Sequence, residues 1–412
     1  MKKTLLLSVV ASTMIMAGGD IAPVEPVVEA PVVVAEASAW TFGGQLVGYT
    51  QTIDQLGNGD LFDDTTTFAA VGVQLSAVNA DIFAGIGAGV EVSAIEETED
   101  SEHQGINSMR ESAGITQAYL TYGFGDTSIK LGRQILPKSL SPFAFSEGWQ
   151  IFKNTFDAAL VVNSSLPSTT LVYAYVKNAN RSVGPALSKW EEINPTDAVH
   201  MITAQNTSIE NLTLTGSFYF APDMVANLGV IGGGDATVLW GDAAYKADAF
   251  TVAVQGGTID PDGLDSTTAF GAKIAANLGM FGLSAAYSSV DDGALAMTNF
   301  GTGVKTPLYT QSILDQNSIS LDADTFKITA SAKALGGKFG LAYISADMGA
   351  ASRGSVFMGG AGEGTYQEID VTYKTNITEN TTLFAAYVAQ SDDRLVDEDQ
   401  NFVRFWARYN FK

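Results

Sequence analysis

The chain has 412 residues, no cysteine and a formal net charge of -23 at pH 7. The acidity excludes a duplex nucleic-acid-binding surface, which needs an excess of Lys and Arg. The absence of cysteine excludes a fold held together by disulfides. The chain also contains 42 glycines and few segments with a helical period, and this combination favours β-structure.

The amino-terminal segment predicts export. Lys2 and Lys3 precede an apolar run over residues 4–16 and the small residues Ala17-Gly18-Gly19. This order is typical of a secretory signal peptide, which we place at residues 1–17. Residues 18–39 are rich in Pro, Val, Glu and Ala without an amphipathic period, and they predict an extended periplasmic spacer. The folded domain is therefore predicted over residues 40–412.

From residue 40 onwards the apolar residues repeat with a period of two. Phe326 and Ile328 fall on one face, whereas Thr325, Lys327 and Thr329 fall on the other. A membrane barrel requires this pattern because its strands face lipid on one side and water on the other, although a soluble sandwich also alternates. The pattern predicts strands over residues 40–53, 65–79, 81–95, 113–124, 126–134, 155–164, 167–180, 197–207, 209–221, 235–248, 249–258, 266–278, 280–290, 322–335, 337–348, 365–377, 380–391 and 400–412.

The connections between these strands decide between a membrane barrel and a soluble sandwich, because short and long connections alternate along the chain. Outer-membrane barrels have short turns facing the periplasm and long loops facing outside, and closure removes the sheet edges that lipid would not tolerate. The sequence therefore predicts an all-β transmembrane antiparallel barrel of about 18 strands, with 16 as the alternative, and a bore wide enough for water. Tight turns are predicted at Asn79-Ala80, Gly125-Asp126, Ser165-Leu166, near Asp248, and at Leu278-Gly279, Gly336-Gly337 and Glu379-Asn380.

The third long connection is unusual. After Gln134 about twenty residues show no strand or helix period before a new strand begins at Phe156. A structureless segment of this length is usually functional or disordered, and aromatic residues such as Phe143, Phe145 and Trp149 argue against disorder. We therefore expect this loop to fold into the bore.

The same stretch carries a family resemblance. Leu131-Gly132-Arg133-Gln134, Leu136-Pro137-Lys138 and Asn154-Thr155-Phe156-Asp157 resemble the third-loop region of OprD-type (Opr family) outer-membrane porins, especially those of Campylobacter-related epsilonproteobacteria. The resemblance implies eighteen strands, a third loop folded into the lumen, and homotrimers. It also implies passage of small solutes, often carboxylates, along a row of basic residues, although the third loop here is more acidic and aromatic than that.

The charges of the third loop are the candidate pore constriction. Charges set ion selectivity where they lie close together across a narrow passage, because salt screens them elsewhere within about 8–10 Å. Lys138 and Lys153 could instead pair with carboxylates and hold the loop to the wall. Arg133 has the outward parity of its strand, but we expect it to turn inward, since an arginine facing lipid costs about 2–4 kcal/mol. The constriction set is Arg133, Lys138, Glu147, Lys153 and Asp157.

A second set of charged residues falls on the inward face of the predicted strands. Each alone is most simply a solvated side chain of the lumen, and together they would line the path. They are Lys130, Asp242, Lys246, Lys273, Lys327, Lys333, Lys374, Arg404 and Arg408.

The acidic residues concentrate in the predicted external loops. They could form a solvated rim, a rim that concentrates cations, or a site for calcium or magnesium bridging to lipopolysaccharide. No loop has EF-hand spacing, so neither a metal site nor a cofactor is predicted. The acidic clusters are Asp60, Asp63 and Asp64; Glu96, Glu97, Glu99, Asp100 and Glu102; and Asp392, Asp393, Asp397, Glu398 and Asp399.

Enzymatic activity is not predicted. The chain has two histidines, His103 and His200, and neither lies near a recognisable nucleophile motif. The sequence predicts a porin of the bacterial outer membrane that lets small hydrophilic solutes and ions diffuse passively, with outer-membrane lipid and lipopolysaccharide as its surroundings. The alternatives are a substrate-selective channel with a saturable site at the third loop, and a surface structural or adhesive barrel. The acidic excess favours cations as the permeating ions, whereas the basic residues near the third loop favour anions; we expect cations because the acidic excess is large.

Overall fold

The computed structural model describes residues 40–54, 59–98, 112–180, 187–194, 197–227, 233–353, 361–395 and 399–412. The predicted signal peptide and spacer lie outside the described residues. So do several acidic residues of the external loops and one histidine: Glu99, Asp100, Glu102, His103, Asp397 and Glu398.

Nineteen strands form a single sheet in the described part of the chain. A four-residue helix, Met224–Asn227, and a 3-10 turn, Asn317–Ile319, lie between strands. The strands are β1 (Thr41–Ile53), β2 (Thr67–Phe83), β3 (Ile86–Glu97), β4 (Ser112–Phe124), β5 (Thr127–Gln134), β6 (Phe156–Asn163), β7 (Thr169–Asn180), β8 (Trp190–Glu192), β9 (Val199–Asn206), β10 (Leu212–Ala221), β11 (Ala236–Lys246), β12 (Phe250–Pro261), β13 (Thr267–Leu278), β14 (Phe281–Val290), β15 (Ala323–Ala334), β16 (Gly337–Met348), β17 (Gly364–Asn376), β18 (Thr381–Asp392) and β19 (Asp399–Phe411).

The sheet closes on itself. Strand β1 pairs with β2 on one side and with β19 on the other, and all the pairings are antiparallel. The short β8 pairs only with the end of β7, which itself continues to β9. Leaving out β8, the wall has eighteen strands, which confirms the predicted barrel.

No helix in the described ranges is long and apolar enough to cross a bilayer.

The two faces of each strand differ as the sequence predicted. On β15, Phe326 and Ile328 are 42% and 46% exposed, whereas Lys327 and Thr329 are 2% exposed. The outward positions around the barrel carry large apolar side chains, for example Leu341, Val371 and Phe405. This apolar band is what a barrel presents to lipid, so the wall is that of a transmembrane barrel.

One predicted turn is wrong. The chain does not turn at Asn79-Ala80, because β2 continues to Phe83 and the hairpin turns at Ala84-Gly85. These two residues have φ values of 51° and 84°, as a two-residue type I′ turn requires. The Asp81 carboxylate accepts the Gly85 N–H at 3.0 Å, and an irregular register between Asn79 and Phe83 absorbs the extra residues.

Short turns lie at one end of the barrel and long loops at the other, which orients the short turns to the periplasm. Two of the long loops position the candidate site. We name the third, residues 135–155, loop L3, and the seventh, residues 291–322, loop L7.

Candidate functional site

Loop L3 enters the barrel and packs first against β10 and β11. The ring of Phe143, which is fully buried, meets those of Tyr219 and Trp240 edge-on at 5.7 and 5.3 Å between centroids. The Phe143 N–H donates to the Tyr219 hydroxyl at 3.1 Å. Both wall residues point inward from strands of alternating pattern, so the aromatic content of the loop holds it inside the barrel.

The second half of loop L3 reaches the wall formed by β18, β19, β1 and β2. Arg404 donates from Nη1 to the carbonyl oxygen of Trp149 at 2.7 Å, and its guanidinium lies 4.1 Å from the Trp149 ring centroid. Arg408 donates from Nη2 to the carbonyl oxygen of Ile151 at 3.0 Å. Residues 404 and 408 share the inward face of β19, so this strand supplies two donors that fix the loop backbone.

A glycine on β2 makes room for loop L3. A Cβ atom at Gly72 would lie 2.8 Å from side-chain atoms of both Ile151 and Phe152. A Cβ fits there only if the Ile151 and Phe152 side chains of the loop shift, because real Cβ atoms essentially never approach heavy atoms below 3.0 Å. The loop and the wall therefore match in shape at this point as well as in hydrogen bonding.

Loop L7 also lies inside the barrel, which the sequence reasoning did not predict. Met297, Asn299, Thr306, Ser312 and Ile319 are all fully buried. The signal was present in the sequence, because residues 291–322 are the longest link between strands and carry few charges, unlike the acidic external loops. A long apolar and hydroxyl-rich loop in an acidic chain indicates burial.

Loops L3 and L7 contact each other directly. Lys138 of L3 donates from Nζ to the carbonyl oxygen of Thr306 at 3.0 Å and to Gln311 Oε1 at 2.9 Å. Glu147 of L3 accepts from Asn299 Nδ2 at 2.8 Å, and also from the Thr302 hydroxyl. The two loops therefore form one unit that fills part of the lumen.

Two loop groups have pKa values changed by their surroundings. Burial raises the pKa of the Glu147 carboxyl, and the nearby Lys305 ammonium, Thr302 and Asn299 partly oppose this. Burial and the Asp242 carboxylate raise the pKa of the Tyr309 phenol. Tyr309 donates to Asp242 on the β11 wall, so it remains a neutral donor that ties loop L7 to the barrel.

The strands around Arg133 are irregular. Arg133 pairs with Ala118 and Asp157 and follows Gly132, which has a φ of 117°, and the pairing of β6 with β7 shifts register at Asp157. Arg133 Nε and Nη2 contact the Asp157 carboxylate at 2.7 and 3.1 Å, and Nη1 donates to the Ile115 carbonyl oxygen. The bidentate ion pair satisfies the guanidinium where it is partly removed from water, and the place of Arg133 and Asp157 at the constriction stays a prediction.

Trp190 covers the guanidinium of this ion pair. The short strand β8 pairs with the end of β7 and holds the Trp190 ring 3.7 Å from the Arg133 guanidinium carbon. The Trp190 indole N–H donates to the Thr155 hydroxyl at 3.1 Å. A cation–π contact stabilises a partly desolvated guanidinium, so the ion pair and the Trp190 ring together hold the Arg133 side chain.

Lys153 lies beside a cavity between loop L3 and the wall of β1–β3 and β17–β19. The cavity has a volume of about 370 Å³, and Glu91, Lys374 and Arg408 also line it. Three basic side chains and one acidic side chain therefore surround this space. The arrangement can attract a small anion or a carboxylate group.

The register gives the nine residues of the second charged set an inward parity. Their surroundings differ. Lys327 and Arg404 are buried against the loops, whereas Lys246 and Lys333 are exposed towards the short-turn end. Lys333, Lys338 and Lys374 are directly opposite one another on β15, β16 and β17, an arrangement that costs stability through like-charge repulsion.

The acidic rim has a structural use. Asp291, Asp322 and Asp393 each accept a backbone N–H from a neighbouring hairpin, all at 2.7 Å. Asp392 is buried and pairs with Arg394. These carboxylates join adjacent loops, so part of the acidity stabilises the rim. In the described ranges no group of three His, Asp or Glu side chains could hold a metal ion.

His200 lies on the outward side of β9. Its Nδ1 is 3.0 Å from the Tyr173 hydroxyl, and its Nε2 is 3.8 Å from an Asp197 carboxylate oxygen. Tyr175 donates to the same carboxylate at 3.0 Å. This cluster resembles the aromatic girdle of membrane barrels.

Fold and site together define the class: a transmembrane β-barrel of porin architecture with two loops inside the lumen. No family model and no curated protein matches the chain.

The similarity lies with solved structures. OpdO of Pseudomonas aeruginosa is 14% identical with a TM-score of 0.71, covering 90% of this chain and 97% of its own. OccK8 (OprE) and OpdK with vanillate, both from P. aeruginosa, are each 11% identical with TM-scores of 0.70. Each covers 90% of this chain and 98% of its own.

At these identities the likeness establishes the fold, which is that of OprD-type (Occ) porins. The resemblance seen in the sequence is thus supported at the level of fold, and the closer affinity to Campylobacter-related porins stays a prediction.

Proposed function

We propose that the protein is an outer-membrane porin through which small hydrophilic solutes and ions diffuse passively along a water-filled barrel narrowed by loops L3 and L7. The observation that carries the proposal is the placement of two loops, with charges of both signs, inside an eighteen-strand wall with an apolar outer band. Such a wall alone leaves an aqueous bore. Loops folded into it decide which solutes pass.

Conductance of the purified protein in planar bilayers tests this function. We expect discrete steps of current that persist without an energy source. The acidic excess favours cations, so a salt gradient should give a reversal potential of the sign set by cation flow, and the opposite sign would refute that preference. A folded barrel that never conducts would contradict the porin function and favour a structural or adhesive role.

A substrate-selective channel is the second candidate, and the cavity of about 370 Å³ beside Lys153, Lys374 and Arg408 favours it. Three cations around a small space suit a carboxylate-bearing solute, and the similar barrel OpdK has a structure with vanillate. A saturable block of current by one carboxylate, at concentrations where an uncharged analogue has no effect, would support selectivity. Equal effects of both would remove it.

The outer surface of the barrel indicates its surroundings in the membrane. The apolar band contacts outer-membrane lipid, and the long-loop end faces lipopolysaccharide. Export would use the predicted signal peptide, and amino-terminal sequencing of the mature protein would show whether residues 1–17 are removed.

The homotrimer implied by the resemblance is a separate prediction. Native mass spectrometry in detergent should then give three copies, and a monomer would contradict it. No cofactor or catalytic role is proposed.

A further inference from the structure

Two carboxylates of β17 lie beneath loop L7, and one of them holds that loop. Glu368 is fully buried on the inward face. Its Oε1 accepts the backbone N–H of Ile313 at 2.6 Å, and its Oε2 accepts that of Leu314 at 3.0 Å and the Tyr366 hydroxyl at 2.6 Å. A single carboxylate therefore anchors the middle of loop L7 by two consecutive backbone donors, a strong type of hydrogen bond.

The second carboxylate, Asp370, is in a different situation. It is 2% exposed, and both of its oxygens are buried without a hydrogen-bond donor. It lies two residues from Glu368 on the same buried inward face of β17. An ionised carboxylate in a dry site without donors is very costly, and two adjacent ionised carboxylates repel each other.

A proton on Asp370 removes both difficulties. The protonated carboxyl has an O–H that can donate to Glu368, in the manner of two carboxyl groups that share one proton. Glu368 keeps its negative charge and with it the strong bonds to loop L7. Because several donors surround Glu368 and none reaches Asp370, we assign Glu368 as ionised and Asp370 as protonated.

The other charged groups near Glu368 and Asp370 do not remove the need for a proton on Asp370. Lys327 of β15 donates to the Gln311 carbonyl oxygen of loop L7, and Asp315 of loop L7 is 1% exposed. One lysine against the three carboxylates would leave a net charge of -2 if all were ionised. The described inward residues of β16 and β18 beside the pair do not titrate: Ala342, Ile344, Ala386, Val388 and Gln390.

We propose that Asp370 and Glu368 form a proton-binding site that keeps loop L7 docked, and that loss of this proton at alkaline pH releases the loop and widens the path. The ligand is a proton and not a metal ion, because the described residues offer no group arranged to hold one. The widening rests on the proposed porin function, whereas the docking of loop L7 does not.

Thiol labelling of loop L7 tests the docking. The chain has no cysteine, so Ser312→Cys places a single thiol at a fully buried position next to Ile313. Labelling by a charged, membrane-impermeant reagent is measured from pH 6 to 9 and divided by the rate at an exposed turn position, Ser165→Cys. The ratio corrects for thiol ionisation. We expect it to rise about tenfold, the effect of losing one strong hydrogen bond.

Three variants sharpen the test. Asp370→Asn cannot lose a proton and keeps a donor towards Glu368, so the ratio should stay flat with pH. Glu368→Gln weakens the anchor and should raise labelling at every pH. Asp324→Asn, on the outward side of β15 at the rim, should keep the full pH response of the parent.

Conductance of the unmodified protein over the same pH range gives a second readout that needs no cysteine. We expect larger steps at pH 9 than at pH 6, and a flat profile in Asp370→Asn. A labelling ratio that stays flat in the parent, or rises equally in Asp370→Asn, would overturn the proposal. Restored protection by 1 mM Ca²⁺ at pH 9 would also overturn it, in favour of a metal site. A barrel that never conducts would contradict the porin function instead.

Discussion

Replacing Arg404 by Met should release the second half of loop L3 from the wall. Arg404 donates to the Trp149 carbonyl oxygen at 2.7 Å and to Gln51 Oε1 at 2.6 Å, and it is 3% exposed. A hydrogen bond from a charged group contributes about 1.5–3 kcal/mol, and a buried carbonyl left without a donor costs about 1–3 kcal/mol. We expect a loss of about 2–3 kcal/mol in docking, which makes the undocked loop about 30- to 150-fold more populated.

The assay is single-channel recording together with thermal unfolding of the barrel. Arg404→Met should give larger and noisier current steps. The unfolding temperature should change less than the docking energy implies, because an apolar side chain in place of a buried charge recovers desolvation free energy. Lys246→Met, which removes an exposed lysine at the short-turn end of β11, is the matched control. Steps and noise equal to the wild type in a folded Arg404→Met barrel would refute this account of how the loop is held.

Three further predictions concern loop contacts, pH and selectivity. Burial raises the pKa of Glu147, so the folded state binds more protons and stability should fall as pH rises above the unfolded value of about 4.3. Thermal unfolding from pH 4.5 to 8 should show this slope in the wild type, and an unchanged slope in Glu147→Gln would contradict it. Gly72→Ala should raise conductance, because its added Cβ atom would lie 2.8 Å from side chains of loop L3. Gly48→Ala is the control: its added Cβ atom would have no heavy atom within 4 Å, so its conductance should match the wild type. Equal conductance in the two variants would argue against close docking of loop L3. Lys374→Gln should shift the reversal potential towards cations, because Lys374 lines the cavity beside loop L3; an unchanged reversal potential would contradict a role of this cavity in selectivity.

The sequence predicts the wall well because a two-residue period is enforced by lipid on one side and water on the other. The predicted and observed bounds of β16 agree at both ends. The turn between β2 and β3 fails because Asn79-Ala80 resembles a turn, whereas the choice of Ala84-Gly85 depends on left-handed backbone angles and on the pairing of β2 with β3. Local residue type does not contain that long-range information.

The site is only partly predictable for a similar reason. The inward folding expected for loop L3 depends on partners far away in sequence, such as Tyr219 and Arg404. Loop L7 has no comparable cluster of aromatic residues and was missed. Residue types near Arg133 in the sequence also do not show that Trp190, far away along the chain, joins Asp157 in satisfying the Arg133 guanidinium.

Deletion of residues 139–150 tests the central claim most directly, because it removes the part of loop L3 that crosses the lumen while leaving the strands intact. In planar bilayers the shortened protein should insert as a folded barrel with larger conductance and weaker ion selectivity than the wild type. Unchanged conductance and selectivity in a folded barrel would mean that loop L3 does not narrow the path, and would contradict the account.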